Sequence, residues 1–223
     1  MLLARREERL RPLAEELGGE YEVVDVADRE AVEATAAAVL ARHPRLALLV
    51  NNAGMPARSG FLSGEPARIE EVMRVNYLGS VWCLRAFLPG LEAAERSDVV
   101  NVVSVAGTLA YPPSGPYSAT KHAQLAFSRA VAAELRPRGI RVHSVLPGFV
   151  ETEGFPQRAT MRNAVMRRLV VEPDLVVERI LAALRHDHRE IFVPRWYRAA
   201  ALAQAVAPGL LARALARRAG GTA

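Results

Sequence analysis

The sequence predicts an α/β fold, a doubly wound parallel sheet with flanking helices, and three observations carry that expectation. Short apolar runs alternate with amphipathic helical segments along almost the whole chain. Two strand candidates, Leu46 to Val50 and Val99 to Val103, are nearly uninterrupted apolar runs, as expected of parallel strands buried on both faces. The residues able to do chemistry fall at the carboxyl ends of the runs, where such sheets bind ligands: Arg5, Asp25, Asn52 to Gly54, Ser104 and Pro147-Gly148.

In chain order, Met1 to Ala4 reads as the end of a strand. Arg5 to Leu17 is a charged amphipathic helix stopped by Gly18-Gly19. Tyr21 to Val26 is a strand, and Asp28 caps a helix running to about Arg42. Leu46 to Val50 is the next strand, followed by a long helix from Glu65 to Leu88. Val99 to Val103 is a strand, and Pro116 to Leu135 a helix. Ile140 to Leu146 is a strand stopped by Pro147-Gly148. A helix near Pro173 to Leu184 and a strand at Glu190 to Val193 close the pattern. Past Pro194, two short amphipathic helices separated at Pro208 form a basic extension, residues 195–223. No internal repeat or low-complexity linker interrupts the chain.

A length of 223 residues suits one domain with a sizeable core. Cys83 is the single cysteine, so an intrachain disulfide and a cysteine-rich metal site are excluded, and a reducing, cytoplasmic setting is expected. The N-terminal apolar run is too short for a signal peptide, and no run is long enough to span a bilayer. The net charge is +5. Its arginines are interleaved with glutamates, as in Arg5-Arg6-Glu7-Glu8-Arg9, and no nucleic-acid module accompanies them. Solvated helix faces and a basic tail account for the charge better than nucleic acid does. His186-Asp187-His188 lies in a short helix-to-strand connection without further ligands, so no metal is expected.

Of 29 basic residues, one is lysine, Lys121, and the other 28 (29 − 1) are arginine. Where arginine serves wherever charge alone is needed, the position that stays lysine is a candidate for chemistry the planar guanidinium cannot do. Lys121 stands four residues after Tyr117, on the same face of one helix. An ammonium beside a phenol favours phenolate and lowers the tyrosine pKa, which would suit Tyr117 to general acid–base work.

With Asn51-Asn52-Ala53-Gly54 closing a strand, Asn76 in Val75-Asn76-Tyr77-Leu78-Gly79, Ser104 thirteen residues before Tyr117, Tyr117-Ser118-Ala119-Thr120-Lys121, and Pro147-Gly148 with Thr152, the chain resembles the short-chain dehydrogenase/reductase family over Met1 to about Pro194. The resemblance implies a Rossmann-type sheet in residues 1–194 and an oxidoreductase that interconverts a secondary alcohol and a ketone. Carried over, Tyr117 is the general acid in reduction and the base in oxidation. Lys121 lowers its pKa and holds the nicotinamide ribose, Ser104 polarises the substrate carbonyl, and Asn76 holds a water that resupplies the proton. Asp25 and Val26 would meet the adenine ring, although Asp25 also suits an Asx turn. Asn52, Ala53 and Gly54 would run beside the adenosine ribose. Pro147, Gly148, Val150 and Thr152 would border the nicotinamide. Arg5, with no acid beside it, favours a 2′-phosphate, hence NADP(H) over NAD(H).

One departure from the family is large. Its first strand, Gly-rich turn and first helix have no counterpart here, and Met1 falls within its second strand. That leaves two interior strand edges facing a gap, and no loop to cradle a pyrophosphate. The intact downstream motifs favour a longer natural protein. A decayed fragment and a short form that closes the gap differently are the alternatives, and the 223-residue chain itself would be a poor enzyme. A non-catalytic remnant or membrane-associated interaction protein is therefore the competing class.

Apolar residues from Gly107 to Gly115 are expected to line a cleft for a lipophilic alcohol or ketone. A basic lid, about Glu151 to Val171, carries Arg158, Arg162, Arg167 and Arg168. In the extension, Trp196 and Tyr197 with the following arginines suit either peripheral contact with an anionic membrane or docking over the cleft or a neighbouring subunit. A homodimer or homotetramer built on the two long helices follows from the family resemblance.

Overall fold

Among the described residues six short strands pair in parallel, and the pairing is split in two. A computed structural model describes residues 1–57, 59–110, 114–153, 155–160, 167–209 and 213. Among the described residues, strand β1 (Leu2–Ala4) pairs only with β2 (Tyr21–Val23). Strands β3 (Leu48–Asn51), β4 (Ser97–Val102), β5 (Ile140–Pro147) and β6 (Glu190–Val193) form a second sheet in that order. Between β1 and β2 runs α1 (Glu7–Glu16), closed at Gly18, whose φ of 60° is the left-handed conformation a side chain resists. Between β2 and β3 runs α2 (Arg29–Arg42), where Asp28 accepts from the Ala31 N–H as the N-cap predicted from sequence.

The predicted long helix after β3 is present with an irregularity. It starts as α3 (Pro66–Met73), widens into a π-helical turn at Arg74–Leu78, and continues as α4 (Gly79–Glu92). Helix α5 (Gly115–Leu135) follows β4, with Pro116 in the first turn, where its missing N–H costs nothing. A single helical turn α6 (Gln157–Thr160), α7 (Pro173–His186) and α8 (Tyr197–Val206) complete the described helices. The second half of the predicted tail, past Pro208-Gly209, lies almost entirely outside the described residues.

Packing joins the two sheets on one face. Val32, Ala36 and Val39 of α2 and Cys83 and Phe87 of α4 bury themselves against Leu3 of β1 and Leu49 of β3. On the opposite face, Val176, Ile180 and Leu184 of α7 cover Val100, Val145 and Val193. The expectation that β3 is buried on both faces fails. Leu49 points into the core, but Leu48 and Val50 on the other face are each 44% exposed. On the face they share with Val100, α7 covers Val100, Val145 and Val193, and neither Leu48 nor Val50 belongs to that core. The open edge is a separate matter. Asp98 N–H bonds to Ala47 O, so the alternation of a parallel ladder turns the backbone groups of Leu48 and Val50 away from β4. No strand among the described residues receives them. Exposed Leu13 on α1, Leu17 just past its end, and Val177 and Leu181 on α7 add to the apolar surface the fold leaves bare.

Candidate active site

Three elements converge at the carboxyl end of the four-stranded sheet. Helix α5 presents Tyr117 and Lys121 one turn apart, with the Lys121 Nζ 5.8 Å from the Tyr117 ring centroid. Just past β4, Ser104 opens a short 3-10 turn, and its hydroxyl accepts from the Ala106 N–H at 3.1 Å. The same hydroxyl faces the Pro147 carbonyl at the end of β5, 3.4 Å away, and lies near enough to the Tyr117 phenol to favour its ionised form. Asn76 sits in the π-helical turn, fully buried. Its Oδ1 accepts from the Met55 N–H at 2.8 Å, and its Nδ2 donates to Met55 O and Thr120 Oγ1, both at 3.0 Å. It thus fastens the loop after β3 to α5, and a π-turn is the kind of insertion that aims such a side chain.

Electrostatics depart from the sequence expectation. Burial pushes the Tyr117 phenol up to about 12, opposed by the nearby Ser104 hydroxyl, and no lowering by Lys121 accompanies it. Burial depresses Lys121 to about 7. The ammonium is not directed at the phenol. It donates to Val102 O at 3.1 Å and to Gln124 Oε1 at 2.8 Å. An ammonium has three N–H donors, so one remains without an acceptor among the described residues.

That spare donor bears on the nicotinamide cofactor which the sequence resemblance implies. Gly54 lies beside it: a Cβ built there would be 3.7 Å from Lys121 Nζ and 3.5 Å from Asn76 Oδ1. An exposed Gly54 backbone, an ammonium with an unspent donor and the Ser104–Tyr117 pair fit a ribose and the ring it carries. Asn52 and Ala53 are also exposed on this loop. At the end of β5, Gly148 donates its N–H to Val193 O. The Tyr197 ring from α8 packs so close that a Cβ on Gly148 would overlap it. Val150 bridges to Val171, and the Thr152 hydroxyl accepts from the Phe155 N–H at 3.1 Å.

The residues expected at the adenosine end stand apart, at the ends of β1 and β2. The Arg5 guanidinium faces Asp25 Oδ2 at 3.5 Å. Asp25 Oδ1 accepts from the Ala27 N–H at 2.9 Å, which is the Asx turn anticipated as its alternative role. Val26 is partly buried against the α2–α4 core, in contact with Gly79. Arg9 of α1 forms a two-pronged ion pair with Glu153. Tyr111, Pro112 and Pro113 of the expected cleft and Arg162 of the expected lid lie outside the described residues. Asp187 is paired with Arg136, and among the described residues no cluster of ligating side chains suits a metal.

Sequence reasoning missed three residues here, and Tyr197 it named only within a tail that could dock over the cleft. Gln124 and Ser80 join the Lys121 hydrogen bonds, Phe155 packs its ring 5.9 Å from that of Tyr117, and Tyr197 walls Gly148. Gln124 alone had a signal: it lies three residues after Lys121, on the buried face of α5.

Comparison with known proteins places the fold in a family. The short chain dehydrogenase family model matches residues 1–163. Dehydrogenase/reductase SDR family member 7B of Xenopus laevis is 31% identical over 210 residues, covering 86% of this chain and 65% of that protein. Galactitol 2-dehydrogenase (L-tagatose-forming) of Cereibacter sphaeroides is 37% identical over 158 residues, covering 69% and 62%. The chain therefore spans somewhat less than two thirds of the length of these curated relatives. A Burkholderia cenocepacia short chain dehydrogenase solved in complex with NADP superposes with a TM-score of 0.81 at 28% identity, over 96% of this chain and 84% of that one. Family model, relatives and architecture agree, and the chain belongs to the short-chain dehydrogenase family.

Proposed function

We propose that this chain is the catalytic part of an NADP(H)-dependent oxidoreductase that interconverts a secondary alcohol and a ketone of lipophilic character. The observation that carries the reading is the Tyr117 phenol, with the Ser104 hydroxyl near it, beside a buried lysine that among the described residues has no carboxylate partner and one N–H to spare. A buried cation is ordinarily paired, so an unpaired one at a strand end points to a ligand. When bound, the nicotinamide supplies or accepts the hydride. The protein's part is positioning and proton transfer. With its pKa near 12 the Tyr117 phenol is protonated at neutral pH, ready to donate to a ketone oxygen that Ser104 also contacts. Lys121 and the exposed Gly54 edge hold the ribose, while Asn76 fixes the Met55 loop against α5.

Arg5, exposed and only loosely paired with Asp25, supports a preference for a 2′-phosphate. NADP in the related Burkholderia structure is consistent with that choice. The apolar substrate class is supported by Phe155 against Tyr117 and by Tyr197 against Gly148. No described helix is long and apolar enough to cross a membrane. Exposed Leu202 and Val206, one turn apart on α8 behind Trp196, support peripheral contact with a lipid surface.

The test is Tyr117→Phe. Turnover of a secondary alcohol or its ketone should fall about a hundredfold or more, the usual worth of a general acid, while NADPH binding persists. Turnover retained in the variant removes Tyr117 from the reaction. The split sheet favours a second reading, a non-catalytic protein on the same scaffold, because no described loop cradles a pyrophosphate between β1 and β3. A folded chain that binds no dinucleotide decides for it.

A further inference from the structure

Beneath Lys121 lies a hydrogen-bonded chain that the oxidoreductase reading does not use. Gln124 is fully buried one turn further along α5. Its Oε1 accepts from Lys121 Nζ at 2.8 Å, and its Nε2 donates to Ser80 Oγ on α4, also at 2.8 Å. Ser80 is itself buried. The direction of the amide is not arbitrary. As an ammonium, lysine can only donate, so the atom facing it in that state must be the oxygen, and the NH2 must then find an acceptor on the far side. Ser80 is that acceptor. Were the amide reversed, two donors would confront each other with no water to relieve them.

We infer that Gln124, oriented by Ser80, is a positioning residue that holds the Lys121 ammonium against the Val102 carbonyl and leaves a single N–H directed to the cleft. This rests on the reading of Lys121 as the ribose-holding group, but its physical content stands without turnover. Two fixed acceptors, Val102 O and Gln124 Oε1, take two of the three protons of the ammonium. They define where the third can go. They also supply what stabilises positive charge in this setting. The phenol of Tyr117 faces Lys121 from its own helix; β4 offers the Val102 carbonyl, the loop after β3 the Gly54 edge, and the π-helical turn the Asn76 amide. Among the described residues, neither a carboxylate nor a second cation belongs to that shell. The neutral amide is thus the strongest side-chain acceptor the lysine has.

Lys121 is the sole lysine, so protein labelled with 13C at lysine Cε gives one side-chain resonance that needs no assignment. Its chemical shift against pH reads the protonation of this one group. In Gln124→Met, which keeps the volume and removes the acceptor, the midpoint should fall by about one pH unit, the worth of a hydrogen bond to a charged group. Ser80→Ala should move it in the same direction by less, because the amide is then free to turn. Gln124→Glu should raise it above the wild-type value. Midpoints of Gln124→Met and Ser80→Ala that both coincide with wild type overturn the inference, as does a downward shift in Gln124→Glu. If one variant fails to fold by circular dichroism, the other two still decide. Because the readout is a titration in the free protein, loss of the oxidoreductase reading would leave it standing. A Tyr117-dependent turnover with no movement of the lysine midpoint would sink the inference alone.

Discussion

Replacing Lys121 by methionine should change the pH dependence of stability in a calculable way. Burial lowers the lysine from its ordinary value of 10.5 to about 7. Between those two values the unfolded chain binds the proton and the folded chain does not. Stability therefore rises with pH through that window, and the cost of carrying the charge is fully present below about 7. At about 1.4 kcal/mol per pH unit the whole span is worth roughly 5 kcal/mol, of which about 2 kcal/mol falls between pH 7 and pH 9. Methionine matches the length of the stem and carries no proton. It leaves Gln124 Oε1 and Val102 O without their donor, a cost that is the same at both pH values and cancels in the comparison. The raised Tyr117 contributes only above pH 10, since it is protonated in both states below that. Urea unfolding of both proteins at pH 7 and pH 9 makes the measurement. Wild type should gain about 2 kcal/mol on the variant between the two. Equal gains would mean that Lys121 titrates as an exposed amine, and the buried, unpaired ammonium would be refuted.

Other substitutions probe the surrounding frame. Gly148→Ala should destabilise by about 1–3 kcal/mol in urea unfolding, because its methyl overlaps the Tyr197 ring, and a second change of Tyr197 to alanine should recover part of the loss. Asn76→Ala leaves the Met55 N–H and carbonyl without their side-chain partner and takes a donor from the Thr120 hydroxyl, which keeps only its bond to Tyr117 O; a loss of about 3 kcal/mol is expected, and a near-neutral effect would show that the π-helical turn does not depend on it. Burial pushes the Cys83 thiol up to about 11, so a disulfide reagent at pH 8 should label it only in urea, and rapid labelling of the native chain would contradict its place in the core.

Much of this fold is legible in the sequence because local signals and burial agree. Asp28 caps α2 as its position before an amphipathic run demands, and β6 falls on Glu190–Val193 as read. Tyr117 and Lys121 share a helix face because their spacing leaves no alternative. What escaped depends on partners distant in sequence. Leu46 to Val50 has the composition of a doubly covered strand, yet cover is a property of neighbours, and β3 lacks them on one side. The Lys121–Tyr117 coupling failed for a related reason. Spacing brings two side chains to one face, but the acceptors Val102 O and Gln124 Oε1 decide which way the ammonium leans. Ser80 lies 44 residues from Gln124, beyond any helical periodicity.

The most direct test of the account is NADPH binding to the 223-residue chain, followed by nicotinamide fluorescence with NADH alongside. Micromolar binding of NADPH, about tenfold or more tighter than NADH and weakened in Arg5→Ala, is the predicted result, a tenfold step being what one charge-assisted contact supplies. A chain that is folded by circular dichroism yet leaves NADPH fluorescence unchanged would contradict it.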